Sequence, residues 1–64
     1  MKTEQLLADT LKELMSNESL DRITVQELSS ACNIKRQTFY YHFRDIYDLL
    51  TWMFLNENAL INKE

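Results

Sequence analysis

This sequence predicts an all-α fold of four short helices, and three features carry the prediction. There is no glycine and no proline among the 64 residues, so the turns of an all-β fold would lack their usual residues. Leu, Glu, Lys, Asn and Met are plentiful, with no helix breaker among them. Apolar residues recur at three- and four-residue intervals, the period of a helix that buries one face.

The first helix is expected from Thr3 to about Ser16. Leu6, Leu7, Leu11, Leu14 and Met15 make its apolar stripe, with Glu4, Asp9, Lys12 and Glu13 outside. Asn17 is placed to end it in the left-handed conformation that Asn tolerates best after glycine. Residues 18–23 then form a loop whose Leu20 and Ile23 turn inward.

The second helix opens on a capping box. Thr24 and Glu27 are spaced so that hydroxyl and carboxylate each satisfy an orphan backbone N–H. Val25, Leu28 and Ala31 give a narrow apolar stripe about two turns long. Asn33 stands where the chain must turn, and Ile34 is an apolar plug just past it. A third helix follows from about Lys35 to Phe43, with Phe39 and Phe43 one turn apart on its buried side. Its other face carries Lys35, Arg36, Gln37, Thr38, Tyr40 and His42, none of them aliphatic. A short helix with a polar, cationic N-terminal end, braced across a turn by the helix before it, is the helix-turn-helix geometry of major-groove readers.

The last helix is expected from Ile46 to about Leu60, with Asp45 as N-cap and Asp48 in its first turn. Ile46, Leu49, Leu50, Met53 and Glu57 mark one face. Tyr47, Trp52, Phe54, Leu55 and Ala59 cover most of the rest. A helix apolar nearly all round is buried on more than one side, so this one is expected to meet something outside the 64 residues. Trp52, Met53 and Phe54 are read as core or interface.

A chain of this length is one domain, burying only ~60% of its unfolded surface. The single Cys32 excludes an internal disulfide, fits a reducing cytoplasm, and is read as a small buried side chain. No apolar run approaches a membrane span, and the N-terminus does not read as a signal peptide. Net charge is −3, which is unfriendly to a polyanionic partner, but it is unevenly spread. Residues 1–27 hold three basic residues against six acidic, and residues 45–64 hold one against four. Residues 28–44 hold Lys35, Arg36 and Arg44 with no acid at all. The cationic block therefore coincides with the proposed recognition helix, and local sign decides where a polyanion docks.

From Ile23 to Leu50 the residues resemble the DNA-binding domain of the TetR family of bacterial transcription regulators. The likeness rests on Ile23-Thr24, the small residues Ser29 to Cys32, the turn Asn33-Ile34, and Thr38-Phe39-Tyr40-Tyr41-His42-Phe43. Arg44-Asp45 and Asp48-Leu49-Leu50 complete it. It spans roughly residues 5–55, and the wording around Arg36 to Leu50 is most similar to a subgroup that includes a regulator of dihydroxyacetone kinase genes. The resemblance implies a three-helix, homeodomain-like helix-turn-helix bundle followed by a fourth, linking helix. It implies double-stranded DNA as the partner, a pseudo-palindromic operator, and a homodimer in the full-length protein. It also implies a small-molecule inducer wherever a C-terminal ligand and dimerisation domain exists, and that domain is expected to be absent here. This sequence departs from the family where Asn33 and Asn17 replace usual glycines and where Gln37 replaces a small or polar residue. Ile46 also stands where a basic residue often holds phosphate, and the first helix is acidic.

Thr38 and Tyr40 match family positions that touch DNA. Thr38 is expected at a base edge or thymine methyl, and Tyr40 at a phosphate unless it only packs on the surface. Arg36 and Gln37 sit near the helix start, where Arg suits guanine and Gln suits adenine; the bland alternative is a solvated face. Lys35 meets phosphate or solvent. His42 matches a position that donates to phosphate; the alternative is a half-buried imidazole bonded to a backbone carbonyl. Thr24 caps a helix and can also meet phosphate, and Gln26 is a lesser phosphate candidate. Tyr41 is counted with the DNA-facing residues, although it and Tyr47 are also expected to pack partly between helices. His42 and Cys32 are two potential ligands and do not make a metal site. No cofactor is expected and no constellation resembles a catalytic site. The competing function is a small helical module that docks on a protein through its apolar last helix.

Overall fold

The computed structural model describes residues 3–62, with side chains described for residues 3–56. Helix α1 spans Thr3–Met15, a single 3-10 turn spans Leu20–Arg22, and α2 spans Val25–Ala31. Helix α3 spans Arg36–His42 and α4 spans Ile46–Asn62. No strand occurs among the described residues. Helix α1 packs against both α2 and α4, and α2 packs against α3.

One core joins all four helices. Leu7, Ala8 and Leu11 come from α1, Leu28 from α2, Phe39 from α3, and Ile46, Leu49 and Met53 from α4. Ile23, Cys32 and Phe43 enter from the connections between them. Burial of such side chains is worth ~1.5–3 kcal/mol each before the entropy of ordering the chain is set against it.

Two stripes differ from expectation. In α1 the small Ala8 is buried, while Met15, the last helical residue, is exposed. In α2 Ala31 is exposed, and the buried positions are Leu28 and Ser29, with Cys32 at the cap. At about 100° per residue, positions 25, 28, 29 and 32 fall on one side of the axis and position 31 falls off it. Cys32 is buried as expected; the polar hydroxyl of Ser29 hid the rest of that face from a reading based on aliphatic residues.

The helix ends explain where the chain turns. Asn17 does not adopt the left-handed conformation. Instead Asn17 N–H and Glu18 N–H both donate to Leu14 O, at 3.0 and 3.1 Å, which tightens the last turn without a positive φ. Asn33 does adopt it, with φ of 60°. Ile34 N–H donates to Ser29 O and Asn33 N–H to Ser30 O, the two bonds of a Schellman closure. Ile34 then packs against the core beyond the turn.

Helix α2 is capped by Thr24, whose Oγ1 accepts the Glu27 N–H at 3.0 Å. The return bond of a capping box is not made. The Glu27 carboxylate instead faces Glu18, and their shared hydrogen bond, with burial and like charge adding to it, raises the Glu18 pKa above the ordinary glutamate value. Helix α4 is capped by Asp45, whose Oδ1 accepts the Asp48 N–H at 2.8 Å, while Asp48 Oδ2 accepts the Arg44 N–H at 2.9 Å.

The inner side of α4 is Ile46, Leu49 and Met53, with Leu50 and Trp52 half-buried beside them. Its outer side leaves Phe54 66% and Leu55 63% exposed, together with Tyr47. The expected surplus of apolar surface on this helix is therefore real. The expected roles of the Glu57 and Ala59 side chains lie outside the described residues. Tyr47 does not pack between helices, and neither does Tyr41, which is 85% exposed.

Candidate nucleic-acid interface

The geometry of α3 follows from two phenylalanines. Phe39 is 0% and Phe43 5% exposed, and their rings stand 5.8 Å apart at a tilt. With these fixed inward, a helix turning about 100° per residue turns Gln37, Tyr40 and Tyr41 away from the core, while Arg36, the first residue of α3, is exposed because the helix begins there. All four are exposed. Thr38 and His42, one turn apart, form a half-buried edge beside that face. Tyr40 leaves the core through an edge-on contact with Phe39, at 5.4 Å.

Lys35 is the N-cap of α3, in extended conformation at φ −84°, ψ 155°, and makes no side-chain cap. The first turn of α3 carries no acidic residue. Lys35 and Arg36 are both exposed there, so the end of the helix is cationic in its side chains as well as in its backbone dipole.

The remaining candidates are placed differently. The Thr24 hydroxyl is used by the cap of α2. Gln26 is exposed, but its amide donates to Ser30 Oγ at 3.0 Å. His42 is neither free nor bonded to a backbone carbonyl: its Nδ1 stands 3.2 Å from Glu4 Oε2 on α1. Tyr41 meets the His42 ring edge-on at 5.3 Å. Ile46 is buried and so holds no phosphate. The start of α4 is already occupied by the carboxylates of Asp45 and Asp48.

Two residues near this surface were not singled out by the sequence. Arg44 is exposed just beyond α3, and its place in the cationic block was the available signal. Glu4 was read as part of a solvated face; its contact joins the start of α1 to the end of α3, far apart in sequence, and no local spacing encodes it.

Comparison with known proteins gives a consistent likeness. The family model described as bacterial regulatory proteins, tetR family, matches residues 7–51. A relative from Lactococcus lactis subsp. lactis (strain IL1403), the HTH-type dhaKLM operon transcriptional activator DhaS, is 38% identical over 61 residues. That match covers 94% of this chain and 33% of the relative. A solved structure of a dihydroxyacetone kinase operon activator DhaS superposes with a TM-score of 0.87 at 36% identity. It covers 97% of this chain and 36% of that one. The chain thus spans about a third of the length of the relatives it matches.

Proposed function

The chain belongs to the tetR family of bacterial regulatory proteins, and from that premise we propose that it binds double-stranded DNA by laying α3 in the major groove. One observation carries the reading. Gln37 and Tyr40 are turned outward by a helix whose Phe39 and Phe43 are locked in the core, and Arg36 is exposed at the start of that helix. Arg36, Gln37 and Thr38 read base edges, while Lys35, Tyr40, Tyr41 and His42 hold phosphates and set register. Gln26 and Thr24 are peripheral, because their polar groups already serve α2.

In a regulator as long as the relatives, two such domains meet successive major grooves of a pseudo-palindromic operator, as symmetric helix-turn-helix pairs do. Dimerisation and any small-molecule inducer belong to the part of such a protein beyond these 64 residues, which form its single DNA-binding domain. The relatives are named as operon activators, which makes activation the direction to test. As a bacterial regulator that meets its DNA there, the protein works in the cytoplasm. No described helix is long and apolar enough to cross a membrane. The family match does not favour a protein-docking module or an enzyme.

The test is binding to duplexes that the chain selects from a random-sequence pool, followed across salt concentrations for wild type and Arg36→Ala. Affinity should fall steeply with salt, and the substitution should cost ~1–3 kcal/mol. A flat salt response, or an Arg36→Ala chain that binds like wild type, would contradict the reading.

A further inference from the structure

Glu4 lies in the first turn of α1, and His42 is the last residue of α3. Their side chains meet with Nδ1 of the imidazole 3.2 Å from Oε2 of the carboxylate, at exposures of 21% and 34%. On its own helix the ring is flanked by Tyr41, edge-on, and by Phe43, tilted. Helix α4 reaches this corner through Trp52 against Phe43. His42 also continues the edge begun by Thr38, so it borders the outward face of α3.

We propose that Glu4 is a positioning residue for His42: its carboxylate accepts the Nδ1–H and fixes the ring so that Nε2 is the nitrogen offered to a DNA phosphate. This rests on the DNA-binding reading above. A neutral imidazole that has committed its one N–H to Glu4 carries a lone pair on Nε2 and cannot donate there. Meeting a phosphate therefore requires Nε2 to take up a proton from solvent. The resulting imidazolium sits between two anions, carboxylate and phosphate, each receiving a charge-assisted hydrogen bond. Glu4 sets which nitrogen faces outward and stabilises the charged ring once DNA arrives.

The chain has a single histidine, so its ring nitrogens give one unambiguous pair of signals in a nitrogen-labelled sample near neutral pH. In wild type the free protein should show the Nδ1–H tautomer, and a mixed-sequence duplex should shift Nε2 from lone pair to protonated. In Glu4→Ala the free tautomers should mix, and the duplex-induced shift should shrink. Glu4→Gln, whose amide oxygen still accepts, should keep the tautomer but show a smaller duplex-induced shift. The proposal is overturned if Glu4→Ala and Glu4→Gln both leave tautomer and duplex response unchanged. It is also overturned if the duplex shifts α3 backbone signals without moving Nε2. If the duplex moves no signal anywhere, the DNA-binding reading is what fails; the free-state tautomers of the variants still show whether Glu4 holds the ring.

Discussion

Replacing Phe39 by Ala should unfold or nearly unfold this chain. Phe39 is fully buried and touches both Phe43 and Tyr40. Truncating a buried phenylalanine costs ~3–5 kcal/mol, through lost transfer energy and the cavity left behind. A domain of this size is stable by roughly 3–10 kcal/mol in total, so the loss is comparable with the whole. The assay is thermal unfolding followed by far-ultraviolet circular dichroism. At about 4–8 °C per kcal/mol for a small domain, the midpoint should fall by at least about 12 °C. Phe39→Leu, which keeps most of the volume, should fall much less. Tyr41→Ala supplies the contrast. It changes an aromatic two residues away on the same helix, 85% exposed, and should stay within ~0.5 kcal/mol of wild type. If Phe39→Ala melts within a few degrees of wild type, or Tyr41→Ala costs as much, the assigned inner and outer faces of α3 are wrong.

Other outcomes follow from the caps and the buried polar groups. Asn33→Gly should raise the midpoint of thermal unfolding by up to a few degrees, because φ of 60° costs an L-residue roughly 1–2 kcal/mol that glycine avoids, less glycine's greater entropy loss; Asn33→Ala should lower it. Asp45→Ala removes the acceptor for Asp48 N–H and should cost ~1 kcal/mol in denaturant unfolding. Ser29 is fully buried, with its Oγ bonded to no other group of the protein. Ser29→Ala should therefore leave denaturant stability unchanged or raise it by ~1 kcal/mol. Glu18 has a raised pKa, chiefly through its hydrogen bond with Glu27, so its contribution is fully present below the ordinary glutamate value and is lost as pH rises through the raised one. The advantage of Glu18→Gln over wild type should accordingly grow from acid towards neutral pH in thermal melts.

Much of this molecule was legible because local chemistry settled it. With no glycine in the chain, Asn33 was the residue suited to a left-handed closure between two apolar runs, and the structure uses it so. Phe39 and Phe43, one turn apart, fixed both the buried and the outward face of α3. Asp45 and Asp48 marked the start of α4 in the same way. Where local chemistry offered two solutions, the reading went astray. Asn17 had the same credentials as Asn33, yet α1 closes through backbone bonds to Leu14 O. Ala31 looked apolar and Ser29 polar, but rotation about the α2 axis buried the serine. Tyr41 and Tyr47 are aromatic, but residue type does not fix burial when the core is already filled. The contact between Glu4 and His42 is set by tertiary packing between the ends of α1 and α3. The residues proposed to meet DNA now have positions and neighbours, and duplex titration remains their direct test.

That test is a titration of labelled protein with a selected duplex, followed through backbone amide shifts. If α3 enters the groove, the largest changes fall on Arg36, Gln37, Thr38 and Tyr40, weaken with added salt, and leave Phe54 and Leu55 nearly still. Changes concentrated on the outer side of α4, with α3 silent, would contradict the claim that this helix is the one that reads DNA.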